Sequence, residues 1–204
     1  NWRFLGSPVA GRTVNDWKDD FYTAGFPGSH SPTFSNPVGS GILWPSIRWY
    51  DETRTFNHID TGWVGVSSTA QALTAGQGFA AWCGTGLVNT TAFTVDVNGA
   101  PNVAQSPISR SLNYTNTGSG GVDGFNAVSN PLPSPVLFSS LTLTNVEDYV
   151  WIFNPAAGNM AVWDISNNSG TLGGNDTIQS SQGFMVQATG AGASIAFEEA
   201  DKVN

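Results

Sequence analysis

The chain has 204 residues, only 11% of them charged, and a formal net charge of −8 at pH 7. Its seven Lys and Arg residues are scattered, which excludes the clustered basic face that nucleic-acid binding requires. No apolar run approaches the length of about 18 residues expected for a membrane-spanning helix, so membrane insertion is not expected.

Low charge, 12% aromatic residues and eight Trp are typical of secreted or surface-exposed β proteins rather than of cytosolic enzymes. We therefore expect an extracellular or cell-surface location. A chain of this length buries enough surface to fold as one domain over residues 1–204 without a disulfide. The single cysteine, Cys83, lies in an apolar run and is expected to be a small buried hydrophobic residue.

The first half contains one helix signal among β-like segments. Asn15 is a candidate N-cap followed by acidic residues that favour the positive end of a helix, so a short helix is predicted over residues 15–22. A stretch rich in Gly, Pro and Ser over residues 25–41 is expected to form a loop. β-Branched and aromatic runs predict strands over residues 3–5, 47–50, 62–66, 78–83 and 92–97. Apolar and polar residues alternate in the last of these, and residues 97–100 form a candidate hairpin turn.

The second half shows the same texture after a glycine-rich segment over residues 115–124, which is expected to be an exposed loop joining two halves. Strands are predicted over residues 109–114, 126–128, 149–153, 160–165, 183–187 and 194–197. Many short strands without alternating helices predict an all-β fold with antiparallel pairing. A β-sandwich of jelly-roll type is the expected architecture.

Three short blocks occur twice, in the same order, about a hundred residues apart. They pair residues 2–9 with 125–132, residues 47–51 with 149–153, and Gln77-Gly78-Phe79 with Gln182-Gly183-Phe184. A duplicated β unit explains this echo, with halves at about residues 1–103 and 124–204.

The echo separates the tryptophans into two groups. It pairs Trp49 with Trp151 and Trp63 with Trp163, and residues that are aromatic in both halves are expected to be core anchors. Trp82, by contrast, lies on the opposite strand face from Phe79, Ala81 and Cys83 and is matched by the polar Gln187. Trp44 lies between Gly41 and Pro45 in a predicted loop. Because sugar rings stack on exposed aromatic faces, Trp82 and Trp44 are the candidate ligand-binding residues.

The sequence contains no recognisable catalytic or metal-binding motif. His30 and His58 lie in polar, loop-like contexts without metal-ligand spacing, so we expect no catalytic residues, no metal site and no cofactor. The adjacent acids at residues 51–52 and 147–148 are interpreted as solvated strand ends, although carboxylates from separate strands can meet in space. Residues 164–170 are weakly similar to a calcium loop, and calcium binding is left open.

Several of these blocks resemble sequences in a known group of proteins. Residues 1–9, Asn-Trp-Arg-Phe-Leu-Gly-Ser-Pro-Val, look like the "GWR…GSPV" opening found in large cell-surface and secreted proteins of Bacteroidetes. Residues 124–135 resemble the "GWNLVGNPYPSPI" block of that family, residues 182–186 its "QGFFV" strand, residues 76–79 its "GKGY" strand and residues 50–52 its "YDE". Ser129 and Leu132 depart from the family pattern, which has Gly and Tyr at these positions.

The resemblance implies export by the type IX secretion system, a β-sandwich module, and a position just before a C-terminal sorting domain. It implies no catalytic residue set. If this export route applies, Asp176-Thr177-Ile178 matches the acidic-Thr-aliphatic pattern of O-glycan attachment, which makes Thr177 a candidate glycosylation site.

The leading hypothesis is a non-catalytic extracellular module for adhesion or cell-surface assembly. A second is a structural subunit of an extracellular filament, in which the strand-like block at the first residues pairs with another copy. A third is a carbohydrate-binding module that uses Trp82 or Trp44. The expected partners are therefore a cell-surface or extracellular polymer, or copies of the chain itself. A glycan hydrolase is the least favoured hypothesis.

Overall fold

The computed structural model describes residues 1–55, 58–84, 86, 94–118 and 121–203. In this part of the chain fourteen strands are all paired antiparallel, which confirms the predicted all-β class. The strands are β1 (Trp2–Leu5), β2 (Ile47–Tyr50), β3 (Trp63–Gly65), β4 (Phe79–Trp82), β5 (Ile108–Ser111), β6 (Phe125–Ser129), β7 (Val136–Leu137), β8 (Thr142–Thr144), β9 (Tyr149–Asn154), β10 (Asn159–Asp164), β11 (Ser169–Thr171), β12 (Thr177–Ile178), β13 (Gly183–Gln187) and β14 (Ser194–Phe197). Five short 3-10 helices span Val14–Trp17, Glu52–Arg54, Ile59–Gly62, Phe138–Ser140 and Glu199–Asp201.

Two main sheets pack face to face as a β-sandwich. The first has the strand order β1-β4-β2-β3, and the second has the order β11-β10-β9-β13-β6. Tyr50 from the first sheet meets Ala127 and Met185 from the second, and larger side chains such as Phe4 and Trp151 surround this contact. Alternation along each strand directs one set of side chains into the layer between the sheets and the other set outward.

The outer face of each main sheet is covered by a separate hydrophobic core. Under the first sheet, Trp17 and Phe26 from the segment between β1 and β2 pack against Ile47 and Phe79. The second sheet is covered by a three-stranded sheet, β5-β14-β8, and a two-stranded sheet, β12-β7. The largest fully buried side chains of this second core are Leu132, Phe138, Ile178, Phe184, Ile195 and Phe197.

The two main sheets share a strand order, since β1-β4-β2-β3 corresponds to β6-β13-β9-β10. The register also corresponds: Leu5 lies opposite Phe79, and Val128 lies opposite Phe184. Phe79 and Phe184 are both fully buried, each in the core of its own half. The repeated sequence blocks therefore occupy corresponding strands, while the jelly-roll type and the duplication remain interpretations.

The register changes the assignment of the paired tryptophans. Arg48 lies opposite Ala80, whereas Trp151 lies opposite the corresponding Met185, so Trp151 corresponds to Arg48 and not to Trp49. Since a shift of one residue reverses the face of a strand, Trp49 faces its own core and Trp151 faces the layer between the sheets. Trp63 and Trp163 are divided in the same way, Trp63 lying between the sheets and Trp163 against the second core.

Most predicted strands are present, with ends that differ by a few residues, and strands 47–50, 183–187 and 194–197 are reproduced in full. The strands not predicted are β7, β8, β11 and β12, which have only two or three residues each and lack a detectable period. Of the predicted strand 92–97, residues 92 and 93 lie outside the described residues. Residues 94–97 form no strand, although Val95 and Val97 pack against the first core, so their alternation reflects one-sided burial without ladder pairing.

Local polar contacts alter two further predictions. The predicted helix 15–22 is a single 3-10 turn whose N-cap is Thr13 rather than Asn15, because the Thr13 N–H and hydroxyl both donate to Asp16 Oδ2, at 2.8 and 3.1 Å. The hairpin turn expected at residues 97–100 is absent, and the chain there bridges back to Val9 through Pro101. Cys83 is buried as expected, and burial raises the pKa of its thiol to about 12.

The loop between the halves is held by a buried carboxylate. Glu52 is 1% exposed, so its interpretation as a solvated strand end is wrong. It accepts hydrogen bonds from the Thr115 N–H and hydroxyl at 2.8 and 2.7 Å, and from the Gly124 N–H at 2.9 Å. Thr115 and Gly124 are the two ends of the predicted loop 115–124, so Glu52 holds these ends together.

Candidate functional site

A cleft of about 430 Å³ opens at one side of the layer between the two main sheets. Strands β1, β2, β3 and β4 supply one wall, and the hairpin formed by β9 and β10 supplies the other. We call this the aromatic cleft; its lining residues are Trp2, Phe4, Arg48, Asp60, Trp63, Ala80, Phe153, Gly158, Asn159 and Met160. Most of the larger side chains among them are apolar and half-buried, so they present carbon surface to the cleft.

Three tryptophans meet at one end of the aromatic cleft. Trp2 lies on the wall, and its ring centroid is 5.6 Å from that of Trp44 and 5.8 Å from that of Trp82. Trp44 and Trp82 are themselves 5.8 Å apart, in an edge-to-face arrangement. The structure therefore brings together the two candidates named from the sequence. Both contact Trp2, which is the member of the group that lines the cleft.

Strand alternation explains how β4 supplies this wall. Phe79 and Ala81 face the first core, as predicted, while Ala80 and Trp82 point to the side of the cleft. Trp2 comes from the neighbouring edge strand, where it lies directly opposite Trp82. Cross-strand aromatic pairs of this kind hold both rings in defined positions.

Arg48 lines the aromatic cleft and lies over the rings of two of these tryptophans. Its guanidinium carbon is 5.2 Å from the ring centroid of Trp2 and 5.8 Å from that of Trp44, distances at which cation–π attraction operates. The Nε–H group donates to the Pro45 carbonyl at 3.1 Å. Burial lowers the pKa of Arg48. Among the described residues Arg48 forms no ion pair.

The other end of the aromatic cleft combines aromatic and polar groups. Phe4 stacks on Phe153 at 5.6 Å and contacts Trp63 at 5.1 Å. Asp60 is exposed at the rim, and its N–H donates to His58 Nδ1 at 3.2 Å. The aromatic cleft thus combines aromatic side chains with a cation, a carboxylate and the amide of Asn159, which is the mixture found in sites for small polar ligands.

The cleft is open in the first half because small or polar residues stand where the second half has large apolar ones. Ala80 corresponds to Met185, and Arg48 corresponds to Trp151, by the register of the paired strands. In the second half Trp151 packs edge-to-face on Phe125 at 5.2 Å, and Met185 is 2% exposed. The equivalent space in that half is therefore filled by side chains.

Thr177, the candidate glycosylation site, lies in β12, where it pairs with Leu137. It is half-buried, and its N–H donates to Asn175 Oδ1 at 2.9 Å. The preceding Asp176 accepts a hydrogen bond from the Ser139 N–H at 2.8 Å. Thr177 is far along the chain from the cleft residues of the first half, and its glycosylation stays a prediction.

The histidines and the calcium-like loop have local structural roles. His30 Nδ1 accepts a hydrogen bond from the Thr23 N–H at 3.2 Å, and its ring stacks on Tyr22. Asp164 accepts from the N–H and the side-chain amide of Asn167, at 3.0 and 2.6 Å, in the turn between β10 and β11. Within the described residues no group of three or more His, Cys, Asp and Glu side chains could hold a metal ion.

Sequence reasoning did not identify Trp2, Arg48, Ala80 and Trp63 as part of the site. From the sequence, Trp2 and Arg48 are recognisable only as members of the repeated blocks 2–9 and 47–51, and Arg48 also as one of seven scattered basic residues. The three repeated blocks are the sequence feature that could have indicated these residues. A site that is present in one half is expected at positions where the two halves differ. The strand register pairs Arg48 with Trp151 and Ala80 with Met185, a correspondence that the repeated sequence blocks alone place one residue away for Arg48.

Comparison with protein families, curated proteins and solved structures found no match to the chain. The resemblance to Bacteroidetes surface proteins therefore remains a prediction. None of the helices in the described residues is long and apolar enough to cross a membrane.

Proposed function

We propose that the chain is a non-catalytic extracellular adhesion module that binds a carbohydrate polymer in the aromatic cleft. The observation that carries this proposal is the cleft itself, which is lined by the aromatic side chains of Trp2, Phe4 and Trp63 together with Arg48 and Asp60. Sugar rings present both C–H faces, which pack on aromatic rings, and hydroxyl groups, which need charged or amide partners. The low charge and the aromatic-rich composition support an extracellular setting.

A blocking substitution tests this function directly. Ala80→Met places in the first half the residue that fills the corresponding position of the second half, so we expect it to occupy the aromatic cleft and abolish polymer binding. Binding is measured by affinity electrophoresis in gels that contain soluble polysaccharides, and by a glycan array. Ala70→Met, at an exposed turn, is the matched control and should bind as the unmodified chain does.

Removal of the aromatic faces provides a second arm of the same test. Trp2→Ala removes one aromatic side chain from the wall of the cleft, and Trp82→Ala removes a ring that packs against Trp2. Loss of one buried aromatic contact is expected to weaken binding by at least about tenfold. Thermal unfolding curves establish whether each variant is folded. Polymer binding that is unchanged in Ala80→Met would refute the proposed site.

A second candidate function is a subunit of an extracellular filament, which the position of β1 favours. Strand β1 lies at the edge of the first sheet, where, among the described residues, β4 is its ladder partner and Leu5 at its end makes an isolated bridge to Gln182. Such an edge can accept or exchange a strand with another copy. Electron micrographs that show fibres would support this function, whereas a strictly monomeric profile in size-exclusion chromatography would exclude it.

A further inference from the structure

The guanidinium of Arg48 has more donors than the described residues satisfy. A guanidinium carries five N–H groups. Only the Nε–H group has a hydrogen bond among the described residues, to the Pro45 carbonyl. The Nη groups therefore have no partner within this part of the chain, although Arg48 is a half-buried residue on the wall of the aromatic cleft.

The charge of Arg48 also has no counter-charge in ion-pair contact within the described part of the chain. The Lys and Arg ion pairs of the described residues join Arg12 to Asp16 and Lys202 to Glu199, and neither includes Arg48. Burial lowers the pKa of Arg48, which means that its surroundings disfavour the cation. A half-buried charge is stable when a counter-charge with good hydrogen-bond geometry reaches it.

The neighbouring rings hold the guanidinium in a defined position. Its central carbon lies over the rings of Trp2 and Trp44, and its Nε–H group is anchored to the backbone, so little side-chain freedom remains to be lost on binding. A planar guanidinium held in this way matches the two oxygens of a carboxylate or of a sulfate ester. The second half has Trp151 at the corresponding position, so it has no equivalent cation there.

We infer that the polymer bound in the aromatic cleft is an acidic polysaccharide whose carboxylate or sulfate group pairs with Arg48. This inference rests on the proposed function and narrows its ligand class. Asp60 stands at the exposed rim, where it can accept hydrogen bonds from sugar hydroxyls. Since the chain carries a net charge of −8, binding depends on this local contact and not on attraction by the whole molecule.

The test compares three polymers and three variants of the chain. The polymers are polygalacturonic acid, which carries carboxylates, dextran sulfate, which carries sulfates, and neutral dextran. Arg48→Gln is expected to weaken binding of the acidic polymer by about tenfold or more, because a charge-assisted hydrogen bond is lost. Arg54→Gln changes the net charge equally at an exposed position and should leave binding unchanged. Arg48→Lys keeps the charge without the planar guanidinium, so its affinity for the acidic polymer should lie between those of Arg48→Gln and the unmodified chain.

The outcomes separate this inference from the proposed function. Preference for polygalacturonic acid or for dextran sulfate, with the loss confined to Arg48 variants, supports the inference and identifies the anionic group. Equal binding of all three polymers that is insensitive to Arg48→Gln would overturn it, while loss of binding in Ala80→Met would leave the proposed function in place. Failure of the unmodified chain to bind either acidic polymer would also overturn it. Circular dichroism spectra check that Arg48→Gln is folded.

Discussion

At the scale of single residues, Glu52 shows how one buried charge can organise a long segment. Its carboxylate receives two backbone N–H groups and one hydroxyl, which come from the two ends of the loop 115–124. Hydrogen bonds to a charged acceptor are stronger than those between neutral groups. The buried carboxylate therefore stabilises the connection between the two halves.

Glu52→Ala is expected to lower the free energy of unfolding by roughly 2–4 kcal/mol, because the donors of Thr115 and Gly124 lose their acceptor in a buried place. Urea denaturation followed by tryptophan fluorescence measures this change. Glu147→Ala, at a partly exposed site, is the control and should change stability by no more than about 0.5 kcal/mol. Equal effects of the two substitutions would contradict the role assigned to Glu52.

At the scale of elements, the segment 94–98 is held against the 3-10 turn near Trp17 by a pair of acids. The Asp96 N–H donates to Asp20 Oδ2 at 3.1 Å. Burial, followed by a side-chain hydrogen bond with Asp96, raises the pKa of Asp20 from its ordinary value of 3.8 to about 6. The folded state therefore holds a proton on Asp20 at pH values where the unfolded state has released it.

Asp20 therefore contributes to the free energy of unfolding in full below pH 3.8, and we expect this contribution to be lost as the pH rises from 3.8 through about 6. Asp20→Asn mimics the protonated form and should flatten this part of the profile. The measurement is the melting temperature as a function of pH between the two values. Asp148→Asn, at an exposed position, should retain the slope, and an Asp20→Asn variant that also retained it would show that Asp20 is not the group responsible.

At the scale of the whole molecule, the two halves contact each other through two β-bridges that join corresponding residues. Leu5 bridges to Gln182, and the corresponding Val128 bridges to Gln77. The next glycine in each block lies where the chain of the other half passes. A Cβ on Gly78 would be 2.5 Å from the Val128 oxygen, and one on Gly183 would be 2.7 Å from the Phe4 carbonyl carbon.

Gly78→Ala and Gly183→Ala are therefore each expected to destabilise the fold by about 1–3 kcal/mol, since backbone atoms of the opposite half must move. Differential scanning calorimetry provides the comparison. Gly190→Ala, where an added Cβ meets no atom within 4 Å, serves as the control and should have little effect. A tolerated alanine at both crossing positions would argue against the close approach of the two halves.

The same comparison explains why the aromatic cleft opens in the first half. We interpret the halves as copies of one β unit, in which shared residues maintain the crossing and divergent residues open the aromatic cleft. Ala80 and Arg48 are the divergent positions, matched by Met185 and Trp151. On this interpretation, the candidate site is formed by positions at which the two copies have different residues.

The amino-acid sequence by itself determined the all-β class, most of the strands, the burial of Cys83 and the face on which Trp82 lies. These follow from local periodicity and composition, which each segment carries without reference to its neighbours. Only the tertiary structure decided that Arg48 stands over Trp2, that Glu52 is buried, and that Trp49 and Trp151 face different layers. The physical reason is that strand register and the approach of segments far apart in the chain depend on packing between sheets, and a shift of one residue reverses every side chain.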